Sequence, residues 1–323
     1  MQYKYLSSTG IKVSSLCLGT MTFGGQADAA ESRRIIDCAL DNGVNFIDTA
    51  NIYTQGMSES IIGESLGSRR SSVVLATKTG GPTGRAPNQS GLSRKQIIQS
   101  VEDSLRRLKT DYIDLLYLHF PDHSTTSEEV IETMTYLLMC GKIRYYGISN
   151  FSAWHCCEMV HQANAMGAVP PCATEDVYSI INRGIENELV SFLLAYGMSL
   201  TVFNPLAGGL LTGKHSRETY TQGTRFALEK GYADRYWNDR NFDAVDALRA
   251  VAAQAGIPMA GLAYKWLLSK PWVSSVIGGV SRLSQLEENL TYFSTPPLDD
   301  DVLAACDAVW SGIGGSYFNY HRD

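Results

Sequence analysis

Three observations predict a (β/α)8 barrel of the TIM-barrel class. Short apolar segments alternate with amphipathic helical segments along almost all of the 323 residues. This strict alternation implies a parallel sheet with right-handed crossovers. Eight strand segments follow an N-terminal β-hairpin, and eight units are the number that closes such a sheet into a barrel. We therefore predict one domain over residues 1–323, with an extra C-terminal helix after the barrel.

Turn and capping signals delimit the first elements. The segment YKYLSSTGIKVSSLCLG is typical of a hairpin that turns at Thr9 and Gly10 and runs into the first barrel strand. Asp28 is placed to cap the helix in DAAESRRIIDCALDNG. The strand VNFIDTA follows, then the helix SESIIGESL with Ser58 as its N-cap, and then the strand SVVLATK.

The later segments repeat this alternation. Helices are predicted in SRKQIIQSVEDSLRRL, SEEVIETMTYLLMCG, SAWHCCEMVHQANAMG and IENELVSFLLAYG, and strands in DYIDLLYLH, IRYYGIS, ATEDVYS and MSLTVFNPL. A long polar loop precedes the helices FDAVDALRAVAAQAG and MAGLAYKWLLSK. The eighth strand, VSSVIGG, is followed by the helix SRLSQLEENL and the additional helix DDDVLAACDAVWSG.

An open doubly wound sheet is the rival fold. Such a sheet usually carries a GxGxxG turn after its first strand when it binds a dinucleotide. This chain has only Gly24 and Gly25 after its first barrel strand. The sequence therefore favours the closed barrel.

The composition is that of an ordinary globular protein and excludes several classes. Hydrophobic residues make up 44% of the chain, and the formal net charge is −6, so no basic patch predicts a nucleic-acid partner. No apolar run reaches the roughly 18 residues of a membrane span. The seven cysteines are odd in number and irregularly spaced, which favours reduced thiols and a cytoplasmic protein.

Four residues carry the predicted chemistry, namely Asp48, Tyr53, Lys78 and His119. They follow or end three predicted strands, and in a barrel of this kind the C-terminal strand ends meet at the active site. Tyr53 can pass a proton to a carbonyl oxygen, and a lysine cation beside it can lower its pKa from about 10. Asp48 can hold Lys78, and His119 can orient the carbonyl. Taken singly, each residue also fits an ordinary structural role.

The chain resembles the aldo-keto reductases from near Leu6 to about Asn289. The matching stretches include LGTMTFGG, GVNFIDTANIY, SLRRLKTDYIDLLYLHFPD, GKIRYYGISNFS, PLAGGLLTGK and VIGGVSRLSQLEENL. The resemblance implies a (β/α)8 barrel that uses NADPH, rarely NADH, without metal or flavin. The family's catalytic tetrad falls on the same four residues that the chemistry predicts.

The resemblance also implies a set of cofactor contacts. Ser149 and Asn150 would bind the nicotinamide carboxamide, Phe203 would stack on its ring, and Ser281 with Arg282 would face a 2′-phosphate. Many family members have a lysine–serine pair there, so NAD stays open beside NADP. The predicted set is Gly19, Thr20, Met21, Asp48, Ser149, Asn150, Glu175, Phe203, Asn204, Pro205, Leu206, Gly208, Gly279, Ser281, Arg282, Gln285, Glu288 and Asn289.

Glu175 departs from the family pattern. It stands where the family usually has a glutamine that contacts the carboxamide, and a carboxylate cannot donate a hydrogen bond to the carboxamide oxygen. Three hypotheses follow: Glu175 binds the carboxamide in an altered way, is protonated, or points elsewhere.

The substrate pocket is predicted beside the tetrad. Its expected lining is Thr22, Phe23, Ile52, Tyr53, His119 and Phe120, with help from the loop of residues 215–241 and the tail YFNYHRD. The leading hypothesis is a reversible NADP(H)-dependent reductase of an aldehyde or ketone. The alternatives are a cofactor-binding regulatory channel subunit and a different barrel enzyme, such as an isomerase. The oligomeric state is left open.

Overall fold

Eight parallel strands close into a barrel in the computed structural model, which describes residues 1–219, 223–228 and 230–314. A two-stranded antiparallel hairpin, β1 and β2, precedes the barrel strands β3 to β10. The order around the barrel is that of the chain, and β10 pairs with β3 to close it. The strands are β1 (Tyr3–Tyr5), β2 (Lys12–Ser14), β3 (Leu16–Gly19), β4 (Phe46–Asp48), β5 (Val74–Thr79), β6 (Ile113–Leu118), β7 (Ile143–Ser149), β8 (Ala173–Val177), β9 (Ser199–Phe203) and β10 (Val273–Gly279). The predicted fold class is confirmed.

Helices surround the barrel and alternate with its strands. They are α1 (Ala29–Asp41), α2 (Met57–Leu66), α3 (Arg94–Leu108), α4 (Ser127–Met139), α5 (Ala153–Ala165), α6 (Leu189–Tyr196), α7 (Arg225–Leu228), α8 (Lys230–Tyr236), α9 (Asp239–Gln254), α10 (Met259–Leu268), α11 (Leu283–Tyr292) and α12 (Asp300–Gly314). The predicted polar loop before α9 contains the two short helices α7 and α8. They form because Phe226, Ala233 and Tyr236 are buried in the core, which the aromatic and charged sequence alone did not reveal.

One predicted cap is confirmed and one is wrong. The Asp28 carboxylate accepts a hydrogen bond from the Glu31 amide at the start of α1. Ser58 is not the cap of α2, because the helix already begins at Met57, after Gly56 in a left-handed conformation with φ of 87°. The buried Ser58 hydroxyl instead donates to the Thr20 carbonyl at 2.9 Å and fixes α2 to the barrel mouth.

The barrel interior is filled by its own small core. Leu6 and Val13 of the N-terminal hairpin are fully buried there and pack with Phe46, Leu115 and other inward side chains of the strands. The hairpin thus closes one end of the barrel. Higher in the barrel, the Tyr117 hydroxyl donates to Thr201 across the interior at 3.2 Å. The polar residues at the C-terminal strand ends stand above this packed floor.

The state of the cysteines and the length of the helices bear on the predictions made from composition. All seven cysteines are free thiols. Within the described part of the chain, no helix is both long and apolar enough to cross a bilayer. The predicted contribution of the tail YFNYHRD falls outside the described residues.

Candidate active site

The four predicted catalytic residues meet at one end of the barrel. Asp48 is the last residue of β4, Lys78 lies in β5, and His119 directly follows β6. Lys78 Nζ lies 5.4 Å from the centroid of the Tyr53 ring. The Tyr53 and His119 rings meet edge to face, with their centroids 6.3 Å apart. The barrel thus gathers side chains that are up to 71 positions apart in the chain.

A tight turn after β4 fixes Tyr53. Thr54, Gln55 and Gly56 follow it with φ values of 45°, 57° and 87°, all in the left-handed region. The Thr54 hydroxyl donates to the Phe23 carbonyl at 2.5 Å and ties this turn to the loop after β3. Non-glycine residues in this region cost conformational energy, so the surrounding contacts must impose the turn.

Lys78 is the fully buried cation at the centre of the site. Its ammonium donates to the two carboxylate oxygens of Asp48 at 2.5 and 2.6 Å and to the Thr49 carbonyl at 3.0 Å. Glu175 Oε1 lies 3.2 Å from the same nitrogen. Burial alone would lower the pKa of Lys78, but Asp48 and Glu175 raise it above its ordinary value. Lys78 therefore stays charged.

Burial dominates the acidity of Tyr53. It raises the pKa of the Tyr53 hydroxyl above its ordinary value, and Asp48 and Glu175 raise it further, while Lys78 acts in the opposite direction. The expected lowering by Lys78 exists but does not prevail. Tyr53 therefore carries its proton at neutral pH, as a proton donor must.

His119 is neutral in this setting. Burial and, to a lesser extent, the charge of Lys78 lower the pKa of its imidazole to about 3. Its ring stacks on Phe120 with centroids 4.2 Å apart, and its amide donates to the Thr79 carbonyl at 2.8 Å. Its Nδ1 atom is buried without a hydrogen-bond partner. A neutral, held imidazole can donate one hydrogen bond and accept another.

Ser149 and Asn150 lie at the end of β7, beside the tetrad. The Ser149 hydroxyl donates to the Glu175 carbonyl at 2.7 Å. The Asn150 side-chain amide donates to the His119 carbonyl and to the Ser149 hydroxyl, each at 3.0 Å. Asn150 adopts a left-handed conformation with φ of 63°. These contacts link the predicted carboxamide pair to the backbone of His119.

Asp176 supports Asn150, a role that the sequence reasoning missed. Its buried carboxylate accepts from the Asn150 amide at 3.2 Å, and its second oxygen has no partner. Burial raises the pKa of Asp176 to about 7, although the neighbouring Thr174 side chain and the Asn150 backbone amide act against this. Strand alternation was the available signal, since neighbours Glu175 and Asp176 must point to opposite faces of β8.

The loop after β9 contains left-handed residues and packs closely against α8. Phe203 ends the strand half-buried, and the loop then passes through left-handed residues Asn204 and Gly208, with φ of 56° and 72°. A β-carbon on Gly208 would lie 2.9 Å from the Tyr232 ring, so glycine is needed here. Asn204 donates to the Tyr236 hydroxyl at 2.6 Å, which binds α8 to this loop. Of the other predicted contacts here, Pro205 is buried and Leu206 is half-buried.

Two arginines lie close to Tyr232. Arg225 donates to the Tyr232 hydroxyl at 3.3 Å with its guanidinium 4.9 Å from the ring centroid, and Arg235 lies 5.7 Å from it. The sequence reasoning identified this aromatic and basic segment but did not predict its helices.

The start of α11 presents Ser281 and Arg282 at the edge of the site. Arg282 is exposed, and the Ser281 amide donates to Gln285 Oε1 at 2.8 Å. Gly279 is exposed, with open space where a β-carbon would stand. The Ser281 hydroxyl also donates to Gln285 Oε1 at 3.3 Å, so Ser281 and Gln285 are engaged with each other at the helix start, while the exposed Arg282 is open to a ligand.

Two of the predicted cofactor contacts on α11 are engaged by neighbouring side chains. Asn289 is buried, and its side-chain amide donates to the Tyr264 hydroxyl at 3.3 Å. Glu288 accepts a hydrogen bond from the Tyr292 hydroxyl at 2.6 Å. Asn289 is thus held inside the protein, whereas Glu288 is exposed and bound to its own helix.

A carboxylate already faces the N-terminus of α11. Glu31 Oε1 accepts from the Leu283 amide at 2.7 Å, and Glu31 also pairs with Arg34 at 2.7 Å. Helix N-termini favour anions because their backbone amides and dipole are electropositive. The Glu31 carboxylate therefore already compensates part of the positive potential that would attract a phosphate.

The loop after β3 has mainly a structural part. A β-carbon on Gly19 would lie 2.4 Å from Ile277, so glycine allows β3 and β10 to pack closely. The fully buried Thr20 hydroxyl donates to the Asp48 carbonyl at 2.8 Å, and Met21 is half-buried. This hydrogen bond holds the backbone of Asp48 in place.

The predicted substrate lining divides into accessible and inaccessible residues. Ile52 is half-buried, and Phe120 is 42% exposed at the mouth. Phe23 has no accessible surface and packs in the core between barrel and helices, so it does not face a pocket in this structure. The Thr22 hydroxyl is engaged with the Val280 carbonyl at 2.5 Å.

No group of three metal-ligating side chains occurs among residues 1–219, 223–228 and 230–314.

Comparison with known proteins agrees with this geometry. The family model described as the aldo/keto reductase family matches residues 15–311. The chain is 41% identical to a probable voltage-gated potassium channel subunit beta of Arabidopsis thaliana, over 92% of this chain and 93% of the relative. It is 35% identical to the uncharacterized oxidoreductase YrpG of Bacillus subtilis, over 98% of each chain. It is 32% identical to aflatoxin B1 aldehyde reductase member 2 of Rattus norvegicus, over 94% of this chain and 87% of the relative.

The fold, the residues at the barrel mouth and the family match lead to one conclusion: this chain belongs to the aldo/keto reductase family.

Proposed function

We propose that this protein is an NADP(H)-dependent reductase that converts an aldehyde or ketone to an alcohol, reversibly. The observation that carries the proposal is the buried Asp48–Lys78 ion pair beside a protonated Tyr53 and a neutral His119. Family membership supports an oxidoreductase.

The residues at the mouth fit a nicotinamide dinucleotide. When bound, the reduced nicotinamide supplies the hydride. Asn150 is exposed at the end of β7, and Phe203 offers an aromatic face. The β9 loop allows close backbone approach, and the buried Glu175 Oε2 atom lacks a hydrogen-bond partner. An unpartnered buried oxygen is what a site for a polar ligand group leaves open.

Proton delivery falls to Tyr53. Its hydroxyl gives a proton to the carbonyl oxygen during reduction and takes it back during alcohol oxidation. Lys78 stabilises the resulting tyrosinate, and Asp48 keeps Lys78 charged and in place. His119, being neutral, donates a hydrogen bond to the carbonyl oxygen and orients it without competing as an acid.

Recognition of a 2′-phosphate would rest on Ser281 and Arg282. The guanidinium of Arg282 is exposed and suits a phosphate. Glu31 at the same helix start acts against a second anion, so the preference for NADP over NAD depends on Arg282 outweighing Glu31.

The test is a panel of aldehydes, ketones and alcohols, followed by the absorbance of reduced nicotinamide with NADPH and NADP. We expect Tyr53→Phe to lose nearly all turnover, because the proton donor is removed, and to keep cofactor affinity, measured by quenching of tryptophan fluorescence. The matched control is Tyr145→Phe, whose hydroxyl contacts the Thr9 carbonyl at the hairpin end of the barrel. Full activity in Tyr53→Phe would show that another group delivers the proton.

A regulatory subunit is the second candidate function. The 41% identity to a protein described as a probable channel beta subunit favours it. Tight cofactor binding without steady-state turnover on any panel member would support this role, while sustained turnover would favour the reductase. Absence of any nicotinamide binding would reject both and leave a different barrel enzyme.

A further inference from the structure

Glu175 has no part in the proton transfer proposed above. Glu175 is 2% exposed and lies inside the barrel beside the Asp48–Lys78 pair. Its Oε1 atom lies 3.2 Å from Lys78 Nζ. Of the three sequence hypotheses, a side chain that points elsewhere does not agree with this position.

Lys78 has more acceptors around it than it can serve. An ammonium has three N–H bonds. Four oxygens lie within 3.2 Å of Nζ: two from Asp48, the Thr49 carbonyl and Glu175 Oε1. The contacts to Asp48 are the shortest, and Glu175 makes the longest. Glu175 is therefore the weakly held partner.

Charge balance leads to the same residue. Asp48 and Glu175 each pair with Lys78 and, within the described residues, with no second cation. The other titratable groups facing Glu175 are Cys17, Tyr53 and Tyr117, and burial raises the pKa of each. None of them supplies a positive charge. Two ionised carboxylates would leave one buried negative charge uncompensated, which is strongly unfavourable.

We propose that Glu175 carries a proton in the folded protein, so that the Asp48–Lys78–Glu175 centre is electrically neutral and Glu175 acts as a positioning residue. The proton belongs on Glu175 because Asp48 has both oxygens bound to Lys78, whereas Glu175 Oε2 is buried without a partner. Burial and then the charge of Asp48 raise the pKa of Glu175 well above its ordinary value, with Lys78 opposing, in agreement with the geometry.

A neutral Glu175 has a consequence for Tyr53, which rests on the proposed function. With Glu175 protonated, the charge of Lys78 offsets Asp48 alone, and the tyrosinate left after proton transfer faces a neutral centre. An ionised Glu175 would place an additional negative charge near Tyr53 and oppose that step. A protonated carboxyl has one donor side and one acceptor side, and a glutamine amide has the same two sides with one N–H more, so glutamine can replace it without a change of charge.

The first experiment detects the proton directly. Infrared difference spectra at pH 7 compare the Asp176→Asn protein with the same protein carrying Glu175→Gln. The Asp176→Asn background is used because Asp176 is a second buried carboxyl with a raised pKa. We expect a carboxylic-acid carbonyl band that shifts in heavy water and disappears with Glu175→Gln. If Glu175→Gln leaves the carboxylic-acid carbonyl region unchanged and removes a carboxylate band instead, the proposal is overturned.

The second experiment asks whether the neutral form is the working form. Glu175→Leu, which removes the polar group, is expected to lower kcat at pH 7 by about tenfold or more, and Glu175→Gln is expected to restore most of that loss, because the amide is polar and carries no charge. A Glu175→Gln protein no more active than Glu175→Leu, with unchanged cofactor affinity, would show that the carboxylate charge is needed. If the wild-type protein has no turnover, the reductase proposal fails while the infrared result still decides the state of Glu175.

Discussion

Tyr53 shows how burial and charge act against each other at one side chain. A nearby lysine lowers the pKa of a tyrosine in isolation. Here the same fold that brings Lys78 close also removes water and adds Asp48 and Glu175, and the net effect on the Tyr53 pKa is upward. The residue types alone predicted the members of the site, but the sign of this shift depends on burial, which only the packed barrel determines.

The raised pKa of Tyr53 predicts a difference between the two directions of the reaction. Reduction needs the protonated hydroxyl, which persists well into the alkaline range, so its rate should stay flat between about pH 6 and about pH 9. Alcohol oxidation needs a deprotonated acceptor, and its rate should rise through the same range, by up to about tenfold per pH unit. Initial rates in both directions under saturating cofactor measure this. An oxidation rate that does not depend on pH would contradict it.

At the scale of elements, a buried ion pair joins α2, α3 and β5. Glu59 of α2 has no exposed side-chain surface and accepts from Arg107 of α3 at 2.7 Å and from Thr77 of β5 at 2.6 Å. Its position explains why the segment SESIIGESL includes a charged residue on a face that packs inward.

Removal of Arg107 should destabilise the protein strongly. In Arg107→Met the Glu59 carboxylate stays buried without its cation, and we expect a loss of about 3 kcal/mol in the free energy of unfolding. Urea unfolding followed by tryptophan fluorescence measures it. The control is Arg106→Met, whose partner Asp103 lies on the exposed surface of the same helix, with an expected loss below about 1 kcal/mol. Equal losses in the two variants would show that the buried ion pair contributes no more to the free energy of unfolding than the exposed pair does.

For the whole molecule, the two ends of the barrel have separate tasks. The hairpin side chains Leu6 and Val13 fill one end, and the charged tetrad occupies the other. Stability and ligand binding should therefore respond to different substitutions.

Leu6→Ala tests this separation. Loss of a fully buried leucine leaves a cavity in the barrel interior, and we expect the free energy of unfolding to fall by about 3 kcal/mol. Cofactor affinity at a temperature where the variant is folded should stay unchanged, since the site lies at the opposite strand ends. The paired measurements are urea unfolding and fluorescence quenching by NADPH. A parallel loss of affinity would show that the two ends are coupled.

The sequence predicted the structural features that follow from repeated or local patterns of residues. Alternating strands and helices predicted the barrel, and strand ends predicted that Asp48, Lys78 and His119 would meet. It did not predict α7 and α8, whose buried aromatics pack on the β9 loop, nor that Phe23 lies in the core. Those outcomes depend on contacts between segments far apart in the chain, which no local pattern contains.

The unpartnered Glu175 oxygen makes heat stability informative about ligands. A molecule whose polar group reached that oxygen would bind the folded chain but not the unfolded chain. Binding of this kind raises the melting temperature as the ligand concentration increases. Melting curves over a library of nucleotides and carbonyl compounds would therefore rank candidates before any reaction is known, and Glu175→Leu would separate molecules that reach the barrel interior from those that bind elsewhere.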